Sequence, residues 1–350
     1  MYTAWMKKAY LTNIGRIELF DEPVPAIDGE GDVLIRVQSV GVCGSDLHYF
    51  RHGGIGQQIV KFPWAVGHEC SGVIEAASAA CSLKPGTRVA VDPLVPCLLC
   101  DQCQFDREHT CRNQKFLGVP GQLDGAMSQY LVLPARCCLP IPDNMTFDQA
   151  VMTEPLAIAL WAVTLAGTLE DKKVGILGAG PIGLSVLESL KLHSPAHIAI
   201  TDLLEERVDL AQKRGADWVG NASLDSTAGK LESMHPLGID VVFECAGKNE
   251  TIDQAVRLLA PGGKLVLVGI PEGDRVSFDM NYLRRKELQV QNVRRQNGCT
   301  AKAIDLVATG KVDVDSMITH HFQLKRSQEA FDLVANYRDG VVKAMIHMWD

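Results

Sequence analysis

The tightest constraint on this chain is the run Gly178-Ala-Gly180-Pro-Ile-Gly183, which follows the apolar stretch Lys173–Leu177 and opens a helical pattern at Pro181. A lone Gly-x-Gly-x-x-Gly is a weak sign, because glycine-rich turns are common; its place between strand and helix gives it meaning. The first glycine permits a tight turn and the second lets backbone approach a pyrophosphate. The third lets helix pack on strand, and the helix N-terminus faces the phosphate charge. Further apolar stretches at His197–Thr201, Asp240–Phe243 and Lys264–Val268 alternate with helical patterns at about 181–192 and 205–214. Continuous apolar strands alternating with helices predict a parallel sheet covered on both faces. Asp202 stands 19 residues past Gly183. A carboxylate there accepts hydrogen bonds from the adenosine ribose hydroxyls and repels a 2′-phosphate, which favours NAD over NADP. The alternative is a plain βαβ turn with a surface aspartate.

Before about residue 150 the pattern differs. Short alternating strands such as Val33–Val37 and Arg88–Val91, punctuated by Gly and Pro, predict a β-rich domain. The tail reads as helix at 301–309 and 326–337 and then as the strand Val341–Ile346. With 34 basic and 42 acidic residues, a formal charge of −8 and no basic tract, neither nucleic acid nor an anionic membrane is the expected partner. The apolar tract 150–167 contains Glu154-Pro155, so a membrane span there would bury a charge. No secretory leader pattern opens the chain, and a cytoplasmic protein acting on a small molecule is expected.

Eleven cysteines are many for such a chain, and the number is odd. Four of them form Cys97-x2-Cys100-x2-Cys103-x7-Cys111, thiols within reach of one loop, which suits the closed tetrahedral shell of a structural zinc. Free or disulfide-paired cysteines are the ordinary alternative, and an iron–sulfur cluster the chemical one, although the Cys-Pro ending of bacterial ferredoxin runs is missing. Elsewhere Cys43 and the pair His68-Glu69 offer a thiol, an imidazole and a carboxylate on two loops, the donor set of a catalytic zinc with an open fourth position. Taken singly, His68 reads as a satisfied buried histidine and Cys43 as a small core residue.

The order of these motifs resembles that of the zinc-containing medium-chain alcohol dehydrogenases, over essentially the whole chain. It is most similar to the sorbitol (polyol) dehydrogenase branch in Gly41-Val-Cys-Gly-Ser-Asp-Leu-His-Tyr49, Gly53-Gly-Ile-Gly56 before Ile59-Val-Lys61, Gly67-His-Glu69, Glu154-Pro-Leu156, Thr201-Asp-Leu203, Ile318-Thr-His320 and Glu329-Ala-Phe331. The resemblance implies an α/β protein: a GroES-like β-barrel catalytic domain over 1–154 with a structural zinc lobe at about 93–115, a Rossmann NAD-binding domain over 155–295, and a segment 296–350 rejoining the first domain. The active site is expected in the cleft between domains, and the assembly as a homo-oligomer, tetramer or dimer.

The resemblance also assigns roles. Cys43, His68 and Glu69 are expected to hold the catalytic zinc, with Glu154 contacting bound water or substrate; classical relatives have a cysteine ligand at the position of Glu154. Ser45 and His48 match a proton relay, and Asp46 is expected to orient a group of the zinc site. Gly178, Gly180, Pro181, Ile182, Gly183, Asp202, Arg207, Val268, Gly269 and Ile270 are the expected NAD contacts. Tyr49 and Arg294 match residues that hold sugar hydroxyls. Arg295 stands where the branch has a tyrosine; its guanidinium either points to solvent or shifts preference toward an acidic sugar derivative. The expected reaction is oxidation of a secondary hydroxyl of a sorbitol- or xylitol-like polyol, with two zincs per chain. A secondary-alcohol, butanediol, threonine or sugar-acid dehydrogenase is the alternative enzyme, and a non-catalytic dinucleotide-binding protein the alternative class.

Overall fold

The computed structural model describes residues 4–224, 226–271, 273 and 275–349. The chain divides into two compact units, one made of Met1–Glu154 with Thr300–Asp350 and the other of Pro155–Cys299.

The first unit is built on a seven-stranded sheet. Its strands run in the order Cys138–Pro140, Arg88–Val91, Glu69–Ala77, Asp32–Gly41, Lys343–His347 and Ile318–Gln323, with Tyr130–Pro134 also paired to Asp32–Gly41. Alternation decides the faces: in Asp32–Gly41 the side chains of Val33, Ile35, Val37 and Ser39 are buried while those between them are partly open. Val33, Ile35 and Val37 pack into a core with Ile74, Val89, Val91, Leu133 and Ile346. The strand Lys343–His347 arrives from the distant end of the sequence and pairs antiparallel to Asp32–Gly41, Met345 opposite Gly41 and His347 opposite Ser39. That pairing carries Lys343, a buried cation, into the first unit's interior.

The second unit is the expected parallel sheet, in the order Trp218–Asn221, His197–Asp202, Lys173–Leu177, Ile239–Glu244, Leu259–Leu267 and Gln289–Asn292. The first strand in sequence, Lys173–Leu177, is central; its neighbours on either side are His197–Asp202 and Ile239–Glu244. Strand order therefore reverses there, which opens a crevice at the carboxyl ends where ligands bind in sheets of this kind. The central strands bury nearly every side chain, as a sheet covered on both faces requires. The tract containing Glu154-Pro155 is one helix, Phe147–Ala166, long and apolar enough to cross a membrane by composition, with 72% of its most apolar window buried inside the protein. It runs through Pro155.

Candidate active site and metal centres

In the first unit, the helix Gly44–His52 begins directly after Cys43, and the strand Glu69–Ala77 directly after His68. These two boundaries bring Cys43, His68 and Glu69 together, with one donor atom from each within 4.8 Å of the others. Asp46, fully buried, holds the two loops in register. One of its oxygens accepts from the Cys43 backbone N–H at 3.3 Å; the other accepts from the Gly67 N–H at 3.2 Å and faces His68 Nδ1 at 3.5 Å. A buried carboxylate with backbone donors on both oxygens orients its neighbours rather than reacting. Ser45 Oγ donates to Cys43 Sγ at 3.3 Å, and His48, partly buried, lies three residues further along the same helix.

Glu69 is buried, and one of its oxygens accepts from Lys343 Nζ at 2.5 Å, both side chains about 1% exposed. Sequence reasoning did not single out Lys343, because a lysine in a strand reads as solvent-facing. Burial alone would lower its pKa, but Glu69, then Cys43, lift it above the ordinary lysine value. Glu154 is buried too, and among the described residues its Oε2 has no hydrogen-bond partner. Burial, and then the Glu69 charge, push its carboxyl up to about 7. Cys43 is raised by burial and by Glu69. For His68 burial works downward, yet Asp46 and Cys43 overcome it and raise the imidazole well above its usual range. The surroundings thus favour positive charge at this point. A thiol, an imidazole and a carboxylate facing one another, with an orphaned carboxylate oxygen nearby, suit a zinc ion.

The four lobe cysteines also converge, their sulfurs all within 4.8 Å of one another. Cys100 Sγ lies 3.6 Å from Cys103 Sγ and 3.8 Å from Cys111 Sγ. Four thiolates at Zn–S distances of about 2.3 Å have tetrahedral edges of about 3.8 Å, whereas a disulfide needs about 2.05 Å. The spacing is that of a metal shell. Backbone N–H groups of Arg112 and Cys103 lower Cys100 to about 6, and those of Leu99 and Cys100 lower Cys97. Burial, with Cys111 and Cys100 beside it, raises Cys103 to about 12.

In the second unit the glycine turn has the geometry its spacing implies. Gly178 sits at φ +101°, and a Cβ there would come within 3.0 Å of the Ala246 backbone nitrogen. A Cβ on Gly183 would stand 1.8 Å from the Gly178 carbonyl oxygen, so only glycine lets the helix Pro181–Leu190 lie this close. Gly180 caps that helix without a side-chain cap hydrogen bond, and Pro181 and Ile182 open its first turn. The Asp202 carboxylate lies against the turn, accepting from the Ala179 N–H at 2.7 Å and the Leu204 N–H at 3.0 Å. Arg207 is buried beside it, its Nη1 3.5 Å from where a Gly180 Cβ would be. Val268 and Gly269 both donate backbone N–H groups to the Glu244 carbonyl at 2.9 Å, and the exposed Ile270 follows. These residues share the carboxyl edge of the sheet.

The expected sugar contacts stand differently. Tyr49 is buried, and its hydroxyl donates to Gln58 Oε1 at 3.1 Å. Arg294 and Arg295 follow the strand Gln289–Asn292 in the second unit, Arg294 exposed and Arg295 partly buried at φ +52°.

Comparison with known proteins places this architecture. The profile described as "Alcohol dehydrogenase GroES-like domain" matches residues 29–143, and "Zinc-binding dehydrogenase" matches 181–309. A sorbitol dehydrogenase of Bacillus subtilis strain 168 is 31% identical, over 98% of this chain and 97% of its own length. The chain is a zinc-containing medium-chain alcohol dehydrogenase. The Aspergillus fumigatus protein named Probable D-xylulose reductase A is 34% identical to this dehydrogenase over 92% of the chain and 91% of the relative. A Sinorhizobium meliloti 1021 crystal structure, bound to NADP, superposes with a TM-score of 0.88 at 30% identity, covering 98% of this chain and 99% of that one. The family uses zinc and a nicotinamide dinucleotide, and this dehydrogenase acts on small alcohols.

Proposed function

We propose that this dehydrogenase oxidises a secondary hydroxyl of a polyol, of the sorbitol or xylitol type, to a ketose with NAD as coenzyme. The observation that carries the reading is the convergence of Cys43, His68 and Glu69 beside the orphaned Glu154 carboxylate. Those three residues would hold a catalytic zinc, which when bound supplies Lewis acidity toward the alcohol oxygen. Cys97, Cys100, Cys103 and Cys111 would hold a second, structural zinc. NAD supplies the hydride acceptor, while the protein supplies position and electrostatics.

The remaining work falls to the chain's own groups. Oxidation releases the hydroxyl proton, and Ser45, at the rim of the donor set, would pass it to the His48 imidazole. Glu154, held near 7 by burial and by Glu69, would exchange a proton or a hydrogen bond with the substrate hydroxyl at working pH. Asp46 holds His68 and the Cys43 loop in position. Asp202 would accept the adenosine ribose hydroxyls and reject a 2′-phosphate, with Arg207 against the phosphate turn.

Polyol specificity would rest on Tyr49 and Arg294 holding neighbouring hydroxyls. A second reading is favoured by the adjacent Arg294 and Arg295, since paired guanidiniums suit a carboxylate better than a hydroxyl: the substrate would then be a sugar acid. A panel of polyols, sugar acids and 2-propanol, followed through the absorbance of reduced nicotinamide with NAD and with NADP, separates these. Arg294→Ala is expected to cut kcat/KM for a polyol far more than for 2-propanol. An equal loss on both would remove Arg294 from the pocket, and activity on sugar acids without activity on polyols would overturn the main reading.

A further inference from the structure

Within the first unit, three more ligand-bearing side chains that belong to neither cysteine centre meet. Asp148 lies in the first turn of the helix Phe147–Ala166, His321 in the strand Ile318–Gln323, and His347 at the end of the neighbouring strand Lys343–His347. We propose that Asp148, His321 and His347 form a third metal site, for a divalent transition-metal ion of the zinc class.

The distances carry the argument. His347 Nε2 lies 3.1 Å from each carboxylate oxygen of Asp148, and His321 Nδ1 lies 3.3 Å from Oδ2. One donor atom from each residue falls within 4.8 Å of the other two. An ion with nitrogen and oxygen ligands at about 2.0–2.1 Å sets ligand-to-ligand edges of about 3.3 Å in a tetrahedron. The two imidazole-to-carboxylate edges already stand at that spacing, and the two imidazole nitrogens lie within 4.8 Å of each other. The imidazole rings are 5.3 Å apart and tilted by 38°, and each places a ring nitrogen within 3.3 Å of the carboxylate.

Rigid elements hold the arrangement. The two strands are paired in parallel, with Phe322 opposite Ile346 and Gln323 opposite His347. Ser39, itself buried, donates to Asp148 Oδ1 at 2.5 Å and orients the carboxylate, as outer partners do at metal sites. The site is also reachable: side-chain exposures are 51% for His321, 38% for His347 and 18% for Asp148, so water can complete the coordination. Two imidazoles and one carboxylate suit zinc, nickel or copper, whereas magnesium and calcium require oxygen-rich shells. A bound ion would join Asp148 to His347, 199 residues apart in sequence, and so pin the returning segment to the start of the long helix.

The test is metal content and thermal stability of the holoenzyme after dialysis against micromolar-range Zn2+. His321→Ala and His347→Ala are each expected to lose one zinc equivalent relative to wild type, and the double variant to lose no more than that one. Zn2+ is expected to raise the wild-type Tm further than that of either variant, and Mg2+ to raise neither. Cys43→Ser should lose its own equivalent independently, so failure of the catalytic-zinc assignment is distinguishable from failure here. Wild-type zinc content in His321→Ala and His347→Ala, or the same Zn2+-induced Tm shift in variants and wild type, would overturn the site and leave a carboxylate shared by two histidines.

Discussion

Replacing Lys343 by methionine removes one positive charge from the first unit while keeping most of the side chain's volume. In the native structure the ammonium lies 2.5 Å from Glu69, with both side chains about 1% exposed. Its loss leaves a carboxylate buried without its counter-charge, and breaking such a pair costs about 3–5 kcal/mol, most of it the desolvation of the surviving charge. In a unit of this size each kcal/mol moves the transition by about 2–4 °C, so Lys343→Met is expected to lower Tm by on the order of 10 °C. Glu69→Gln should cost a comparable amount for the mirrored reason. Lys343→Met with Glu69→Gln removes both charges and is expected to be clearly more stable than the sum of the single losses predicts. Scanning calorimetry on the four proteins gives the coupling energy. It should be larger after chelator treatment, because a metal drawing on Glu69 would compete with Lys343. A single-variant loss below about 1 kcal/mol, or strictly additive losses, would refute the reasoning.

Other consequences follow from the same geometry. Cys43→Ser is expected to abolish turnover with circular dichroism unchanged, whereas Cys100→Ser should mainly lower stability, since the lobe's folding is linked to its metal; an unfolded Cys43→Ser protein would contradict this. Asp202→Ala should lower kcat/KM with NAD and raise the NADP-to-NAD ratio; an unchanged ratio would remove Asp202 from coenzyme choice. Gly183→Ala should weaken NAD binding in a titration and lower Tm, because its methyl collides with the Gly178 carbonyl. In chelator-treated protein, Asp148 and His347 set a pH window. Burial works against ionisation of Asp148, but hydrogen bonds from His347 and Ser39 keep its pKa below the usual value. Its contribution is therefore complete above about pH 3.9 and lost as pH falls through the depressed folded value. The hydrogen bond with Asp148 raises His347 against the effect of burial. That contribution is complete below about pH 6.5 and lost as pH rises through the raised folded value. Denaturant titrations should show His347→Gln losing the alkaline-side decline.

Much of this was readable from residue order, and the exceptions have physical causes. Lys173–Leu177 and Arg88–Val91 form strands with the expected ends, because uninterrupted or strictly alternating apolar runs leave little choice. Trp218–Asn221 and Gln289–Asn292 do not stand out in the sequence; both are four-residue, partly open edge strands, the first with only two apolar side chains before Gly220 and Asn221 and the second with three polar residues of four, so their apolar pattern is faint. The helix expected to reach Leu192 ends at Leu190, where the chain tightens into a turn. Spacing pointed to the four-cysteine lobe because its ligands lie close together in sequence, whereas Cys43, His68 and Glu69 stood out only through the resemblance carried by the order of the motifs. It was silent on Lys343, whose partner is 274 residues away, and on the Asp148 cluster, which only strand pairing assembles.

The late return of Lys343–His347 bears on how the protein is made. Chains emerge from the ribosome in sequence order, and domains generally fold as units. The contiguous stretch Pro155–Cys299 can complete its sheet soon after its last strand appears. The first unit cannot: until Met345, Ile346 and His347 are synthesised, Ser39–Gly41 lack the neighbour that covers one side of them, and Glu69 lacks Lys343. Until that strand is made, a nascent chain carries an open strand edge, and the Glu69 carboxylate has to stay in water, so the intermediate is exposed to edge-to-edge pairing with other chains.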